Sequence, residues 1–325
     1  WDRARLLLSL FISHAGSVEA RTQVRIAQLL ADRSVLRELV NQQTTGERAG
    51  FGGAGQQGIR GVLETVSREL TQLRRKQRKH ALARSERRRQ RARGGARTVG
   101  LAGYTNAGKS SLFLALSGKQ VLVEDKLFST LETTVGRMEM SPRILLADTI
   151  GFIDELPSDL LDAFHATLDE SLQCDLLLLV VDSSDEPDEL KRKLSTTRRE
   201  VLERGDESGM NIKVVLTKSD LGGNIESAIE IVNSMGMTEP LVVSSHDGQG
   251  MDELRESIMY SLYGPKTTLV VSEGDDDERS AEAYVSQIYD LGIVTEKNGL
   301  ELTLWCGKAE MMKLISKSNG RISIK

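Results

Sequence analysis

Gly103-Tyr-Thr-Asn-Ala-Gly-Lys109-Ser110 fits the phosphate-binding pattern G-x-x-x-x-G-K-[ST], and its flanks decide how it folds. The preceding Thr98-Val-Gly-Leu-Ala102 reads as a short buried strand, and the following Ser111-Leu-Phe-Leu-Ala-Leu116 as the start of a helix. A strand, a glycine-bearing loop and a helix N-terminus aim successive backbone N–H groups at phosphate oxygens, and Lys109 adds a full positive charge. Asn106, Ala107, Gly108, Lys109, Ser110 and Ser111 are therefore the candidate phosphate-binding residues, with Ser110 as a Mg²⁺ ligand.

Working outward, Ile144-Leu-Leu-Ala147 leads into Asp148-Thr-Ile-Gly151. A strand there delivers the Asp148 carboxylate to the metal side, while the Gly151 N–H faces a γ-phosphate. Lys213-Val-Val-Leu216 leads into Thr217-Lys218-Ser219-Asp220. A carboxylate at Asp220 accepts both N1–H and N2–H of guanine, whereas adenine presents no such donor pair and would leave it desolvated and unpaired, at a cost of about 1–3 kcal/mol. The substrate read from these residues is GTP. Thr217 stands where many such turns carry Asn, so a hydroxyl replaces an amide in bridging to the phosphate loop. Leu241-Val-Val precedes Ser244, Ser245 and His246, which fit the last base-contacting turn. Each of these residues alone has a plain alternative as a turn or helix cap. Four motifs in order, each at a strand's carboxyl end, point instead to the ligand-binding edge of an open α/β sheet.

Residues 100–182 resemble the HflX family of ribosome-associated GTPases, in the translation-factor-related class of P-loop GTPases. The segments that carry the resemblance are Gly103-YTNAGKSSLF, Leu127-FSTLETT134, Asp148-TIGFIDELP157, Ala163-FHATLDES171 and Asp175-LLLLVVD182. In the family's switch segment a threonine follows T-L-D-P. Here the string is Thr130-Leu-Glu-Thr133-Thr134, so the resemblance implies Thr134 as switch ligand of Mg²⁺ and the γ-phosphate, with Thr133 in place of proline and Gly136 at an often basic position. Lys109, Thr134 and Gly151 are then the catalytic set. Phe152 occupies the place of the water-orienting glutamine of Ras-like enzymes. A phenyl ring cannot hold water by a hydrogen bond, so slow unaided hydrolysis is expected. Similar GTPases ligate K⁺ at the position of Asn106; here that residue either does the same or only braces the loop. The resemblance further implies binding to the large ribosomal subunit, with splitting or rescue of stalled ribosomes, or subunit assembly, as the task. A nucleotide-gated RNA-binding module with negligible turnover is the alternative.

At 325 residues the chain exceeds one ordinary domain. The expected division is a basic helical region at 1–97, a truncated counterpart of the family's N-terminal domain; a GTPase domain at 98–264; and a small α+β domain at 265–325. Net charge is only -4, but residues 1–97 carry 21 Lys/Arg against 8 Asp/Glu while the remainder carries 22 against 39. The asymmetry points to a polyanionic partner for the first region. Its densest part, Leu73 to Arg97, sets Glu86 against eleven basic residues between Arg74 and Arg93, with no aromatic residue interleaved. Contact with an RNA backbone, steeply salt-dependent, is the expectation, and a solvated helix face or frayed linker the alternative.

Helical spacing appears at Val18–Val40 and at Ile59–Gln77, separated by Gly46-ERAGFGGAGQQG58, whose glycines predict a loop. The resemblance implies a further α/β portion upstream in the family, to which Arg5–Gly16 is expected to correspond in part. After Gly264, the order of candidate elements is β-α-β-β-α-β, which fits a ferredoxin-like domain. Gly274-DDDE278 predicts a solvated acidic turn rather than a Ca²⁺ loop. The fold expected is thus α/β, a doubly wound, mostly parallel P-loop GTPase sheet between a basic helical hairpin and a small α+β domain.

The sequence contains no run of about 18 apolar residues, so no membrane is expected as partner. Cys174 and Cys306 are isolated and suit a reducing compartment. A cytoplasmic monomer is expected, or an organellar one if a targeting segment preceded Trp1.

Overall fold

The structure, a computed structural model, describes residues 3–15, 17–45, 53–118, 134–138, 141–148, 172–204, 211–272 and 281–325. Within these, the chain forms two compact units, Trp1–His246 and Asp247–Lys325.

The first unit opens with three helices: α1 (Arg3–His14), α2 (Val18–Thr45) and α3 (Gly53–Arg93). A 12-residue helix such as α1 is too short to be stable alone. Leu8 and Phe11, 6% and 1% exposed, hold it on the core, and burying each such side chain contributes roughly 1.5–3 kcal/mol. Ser17 Oγ caps α2 by accepting from the N–H groups of Glu19 and Ala20. α2 and α3 pack together through Val24, Ala27, Val66 and Leu70, with the Arg25–Glu69 ion pair at 2.8 Å on their rim.

α3 corrects two expectations. The glycine-rich stretch does not remain a loop up to Gly58: the helix begins at Gly53. Extending a helix costs far less than nucleating one, so the packed turns around Val66 and Leu70 carry the weak glycine turns with them. The helix also runs past Gln77 to Arg93, 41 residues in all and about 60 Å long at 1.5 Å per residue. Its packing ends at the half-buried His80 and Ala81, and every described side chain from Leu82 to Gln90 is exposed. Residues 46–52 lie outside the described residues.

A six-stranded sheet follows, built from β1 (Arg97–Gly103), β2 (Thr134–Met138), β3 (Ser141–Asp148), β4 (Leu176–Asp182), β5 (Ile212–Thr217) and β6 (Leu241–Val242). The strand order is β2-β3-β1-β4-β5-β6, and every pairing is parallel except β2 with β3. β4 explains why: Leu176-LLLVVD is buried at all seven positions, as a central parallel strand covered on both faces must be. Around the strands lie α4 (Lys109–Ser117), α5 (Pro187–Arg204) and α6 (Ile225–Ser234). One continuous apolar cluster joins Leu8, Phe11, Val24 and Leu70 of the first helices to Leu177 and Leu179 of β4 and Leu190 and Leu194 of α5. The order reverses around β1, whose carboxyl end points between β3 and β4. Ligands of open α/β sheets bind at such a point.

The second unit contains α7 (Met251–Tyr263), then β7 (Thr267–Val271), α8 (Ala281–Leu291), β8 (Ile293–Asn298), β9 (Glu301–Trp305), α9 (Lys308–Lys317) and β10 (Ile322–Ile324). Its sheet has the order β10-β7-β9-β8 with all neighbours antiparallel, the ferredoxin-like arrangement expected from the element order. Leu269, Leu302, Leu304 and Ile322 form its core with Tyr284, Ile288 and Met311 from the helices. The acidic Gly274–Glu278 lies outside the described residues. Among the described residues, no helix is long and apolar enough to cross a membrane.

Candidate functional site

Strand register brings the sequence motifs to one edge. Leu101 pairs with Asp148, Gly103 with Val180, and Asp182 with Thr217, so β1, β3, β4 and β5 end side by side. From that edge the loop of residues 104–108 turns into α4. Its path needs glycine at two places. A Cβ at Gly103 would run into the Val180 carbonyl, and Gly108 has φ 85°, with a Cβ there only 3.3 Å from Thr217 Oγ1. Asn106, exposed at the loop's tip, takes the left-handed φ of 61° that Asn tolerates better than most residues. Ala107 is buried, whereas Ser110 and Ser111 are half-buried on the first turn of α4. Among the described residues no side chain caps that turn, and N–H groups at a helix start of this kind suit an anion.

Lys109 is 7% exposed, and its Nζ donates to the carbonyls of Tyr104 at 2.8 Å and Gly103 at 3.3 Å. Burial pulls its pKa down to about 8, against the opposing attraction of Asp148. The ammonium is therefore held at an energetic cost that an anion placed beside it would relieve. Ser110 Oγ donates to Asp148 Oδ2 at 2.9 Å, and Asp148 is 0% exposed. A hydroxyl and a carboxylate in contact at a strand end are hard oxygen donors of the kind Mg²⁺ takes. Thr134 begins β2 directly across from Asp148 in the antiparallel register, half-buried. Gly151, Phe152 and residues 127–133 lie outside the described residues.

At the other end, Thr217 is 1% exposed, so it serves as a brace rather than a ligand-facing group. Its Oγ1 lies 2.7 Å from the Ala107 carbonyl and 3.0 Å from that of Val181. One hydroxyl proton serves one of these at a time, and the shorter bond ties β5 to the phosphate loop, the bridge expected from an amide. Asp220 is exposed on the short 3₁₀ turn Ser219–Leu221 and accepts a 2.7 Å hydrogen bond at Oδ1 from Ser244 Oγ. Ser244 is fully buried, and its Oγ also accepts from the His246 N–H at 3.2 Å. Ser245 is half-buried and His246 exposed beside it.

Sequence reasoning missed Asp182. Lys218 adopts φ 60°, and its Nζ pairs with Asp182 Oδ2 at 2.7 Å, while Asp182 Oδ1 accepts from the Ser184 N–H and hydroxyl. The signal available was an aspartate closing the apolar run of β4. Sequence reasoning also passed over Tyr104, against whose ring Arg192 and Lys193 of α5 are placed.

A family model described as 50S ribosome-binding GTPase matches residues 98–218. GTPase HflX of Methanocaldococcus jannaschii is 38% identical over 267 residues, 80% of this chain and 64% of that protein. GTPase HflX of Gluconacetobacter diazotrophicus is 39% identical over 264 residues, 79% of this chain and 55% of that protein. Among solved structures, a GTP-binding protein from Sulfolobus solfataricus in complex with GDP is similar, with a TM-score of 0.51 at 25% identity over 81% of this chain and 72% of that one. The chain thus spans less than two thirds of the length of these curated relatives.

Proposed function

Since the chain belongs to the HflX family of GTPases, we propose that it binds GTP across the carboxyl ends of β1, β3 and β5, hydrolyses it slowly unaided, and binds the large ribosomal subunit in its GTP state. The reading rests on one observation above the others: two pairs far apart in sequence, Ser110–Asp148 and Ser244–Asp220, meet along the same sheet edge on either side of β1. In this reading Ser110, Asp148 and Thr134 would hold Mg²⁺, which would neutralise phosphate charge. Lys109 leaves the Tyr104 and Gly103 carbonyls for the phosphates, and Asp220 receives the guanine N–H pair. K⁺ beside Asn106 is part of the proposal, as a countercharge in place of an arginine. The Phe152 position, which cannot orient water, leaves stimulation of hydrolysis to the partner.

The model match to a ribosome-binding GTPase supports the ribosome as that partner. So does the exposed end of α3, whose basic side chains beyond Ala81 have no packing role among the described residues. Phosphate contacts of this kind release counter-ions and weaken steeply with salt.

The test is GTP turnover with and without purified large subunits in K⁺ and in Na⁺ buffer, with cosedimentation at two salt concentrations in GTP and GDP. Stimulated turnover with GTP-dependent, salt-sensitive binding is expected. Slow, unstimulated turnover with nucleotide-independent RNA binding would replace the proposal with the RNA-module reading.

A further inference from the structure

We propose that Tyr104 is a positioning residue for the nucleotide site, its ring held by two cations of α5 so that its backbone carbonyl sets where Lys109 waits. This inference rests on the nucleotide reading above and concerns how that site is held.

The Tyr104 carbonyl accepts two hydrogen bonds, from the Ala107 N–H at 3.2 Å and from Lys109 Nζ at 2.8 Å. The orientation of the Tyr104–Thr105 peptide therefore fixes both the turn of the loop and the resting point of its lysine. A small cavity lies next to that peptide. Thr105 is 5% exposed, yet its Oγ1 has no hydrogen-bond partner among the described residues, and it borders a cavity of about 10 Å³ shared with Val181, Asp185, Lys193 and Thr197. That volume is no larger than a single water needs.

The ring of Tyr104, by contrast, is held from α5. Arg192 Cζ lies 5.4 Å and Lys193 Nζ 5.5 Å from its centroid, both inside the range over which a cation is attracted to a ring's quadrupole. Both cations are also hydrogen-bonded to carboxylates. Glu189 fixes Arg192 through bonds of 2.6 and 2.9 Å, and Asp185 fixes Lys193 through bonds of 2.7 and 2.9 Å. Two side chains already oriented by carboxylates lose little further freedom in contacting the ring. α5 also presents Leu190 and Leu194 to the apolar cluster shared with α1 and α2, so the pin is anchored in the core of the unit.

A merely space-filling Tyr104 would be replaced equally well by leucine or phenylalanine; a ring pinned by cations would not. The experiment measures release of mant-GDP in Mg²⁺ buffer, with thermal unfolding in parallel, for wild type, Tyr104→Leu, Tyr104→Phe, the Arg192→Gln/Lys193→Gln pair, and that pair combined with Tyr104→Leu. Tyr104→Leu is expected to speed release about tenfold, and Tyr104→Phe, which keeps the quadrupole, to restore slow release. The charge pair should speed release to a similar degree, and the combined variant should be no faster than either alone. Equal release from the leucine and phenylalanine variants, or additive effects of ring and charges, would overturn the inference. If Tyr104→Leu does not fold, the charge pair and Tyr104→Phe still decide: wild-type release from the charge pair overturns it. Absence of mant-GDP binding by wild type would instead sink the nucleotide reading itself.

Discussion

The two ends of the candidate site are built by different means. At the phosphate end the geometry is in the backbone: a glycine too close to β4 to carry a Cβ, a left-handed Gly108, and a lysine buried against two carbonyls at a pKa near 8. At the end proposed for guanine it is in the side chains: an exposed Asp220 oriented by a buried Ser244, which the next turn holds in place through the His246 N–H. Burial therefore disfavours the Lys109 ammonium at the first end, where a neighbouring anion would compensate it, whereas at the second Asp220 is exposed and already hydrogen-bonded to Ser244. Affinity should come mainly from the first and discrimination from the second.

The largest expected effect breaks the phosphate end alone. Lys109→Met removes the charge and keeps the length, so GTP affinity should fall by two orders of magnitude or more, in the range of losing a desolvated charge pair with phosphate. The nucleotide-free protein should unfold at the same temperature or a few degrees higher, because the desolvation cost of the ammonium disappears with it. Calorimetry of the ligand-free variant checks this. A lower unfolding temperature would mean that the bonds to the Gly103 and Tyr104 carbonyls outweigh the desolvation cost, and that the phosphate end is relaxed after all.

The same contrast explains what could be read from the sequence. Glycine spacing, the apolar run of β4 and an aspartate at a strand end report backbone path, and they gave the sheet, the loop and the positions of Lys109, Asp148 and Asp220. Side-chain partnership was legible only where a motif names both members. Asp182 was missed because its contact with Lys218 exists only once β4 lies beside β5 in the Asp182–Thr217 register. Tyr104 was missed because its partners sit nearly ninety positions away on α5. The length of α3 was misjudged for another reason: neither its glycine start nor its arginine-rich end carries apolar periodicity, and the packed middle holds both in helix.

A middle-sized effect sharpens the guanine end. Asp220→Asn keeps an oxygen that can accept from Ser244 Oγ, so the turn should hold its shape. The amide group now presented opposes the guanine donors, and GTP affinity should drop about ten- to a hundredfold, in line with about 1–3 kcal/mol for one mismatched polar pair that the bound base desolvates. Xanthosine triphosphate, which offers an acceptor in place of the N2–H₂ donor, should gain. Competition binding with both nucleotides reads the exchange. Unchanged GTP affinity would remove Asp220 from the base site.

The smallest effect asks whether Ser244 matters only through Asp220. Ser244→Ala deletes the 2.7 Å bond to Asp220 Oδ1 and the acceptor for the His246 N–H, at a position with no exposure and little room to relax. A hydroxyl bond to a charged group contributes about 1.5–3 kcal/mol, but an exposed carboxylate recovers part of that from water, so about a three- to tenfold loss of GTP affinity is expected. Xanthosine triphosphate should not gain, because the carboxylate that rejects it is still present. That pattern, weaker binding with unchanged preference, separates the residue that orients from the residue that discriminates. Full affinity in Ser244→Ala would show that Asp220 keeps its place unaided, and the side-chain construction of the guanine end would then reduce to a single carboxylate on a 3₁₀ turn.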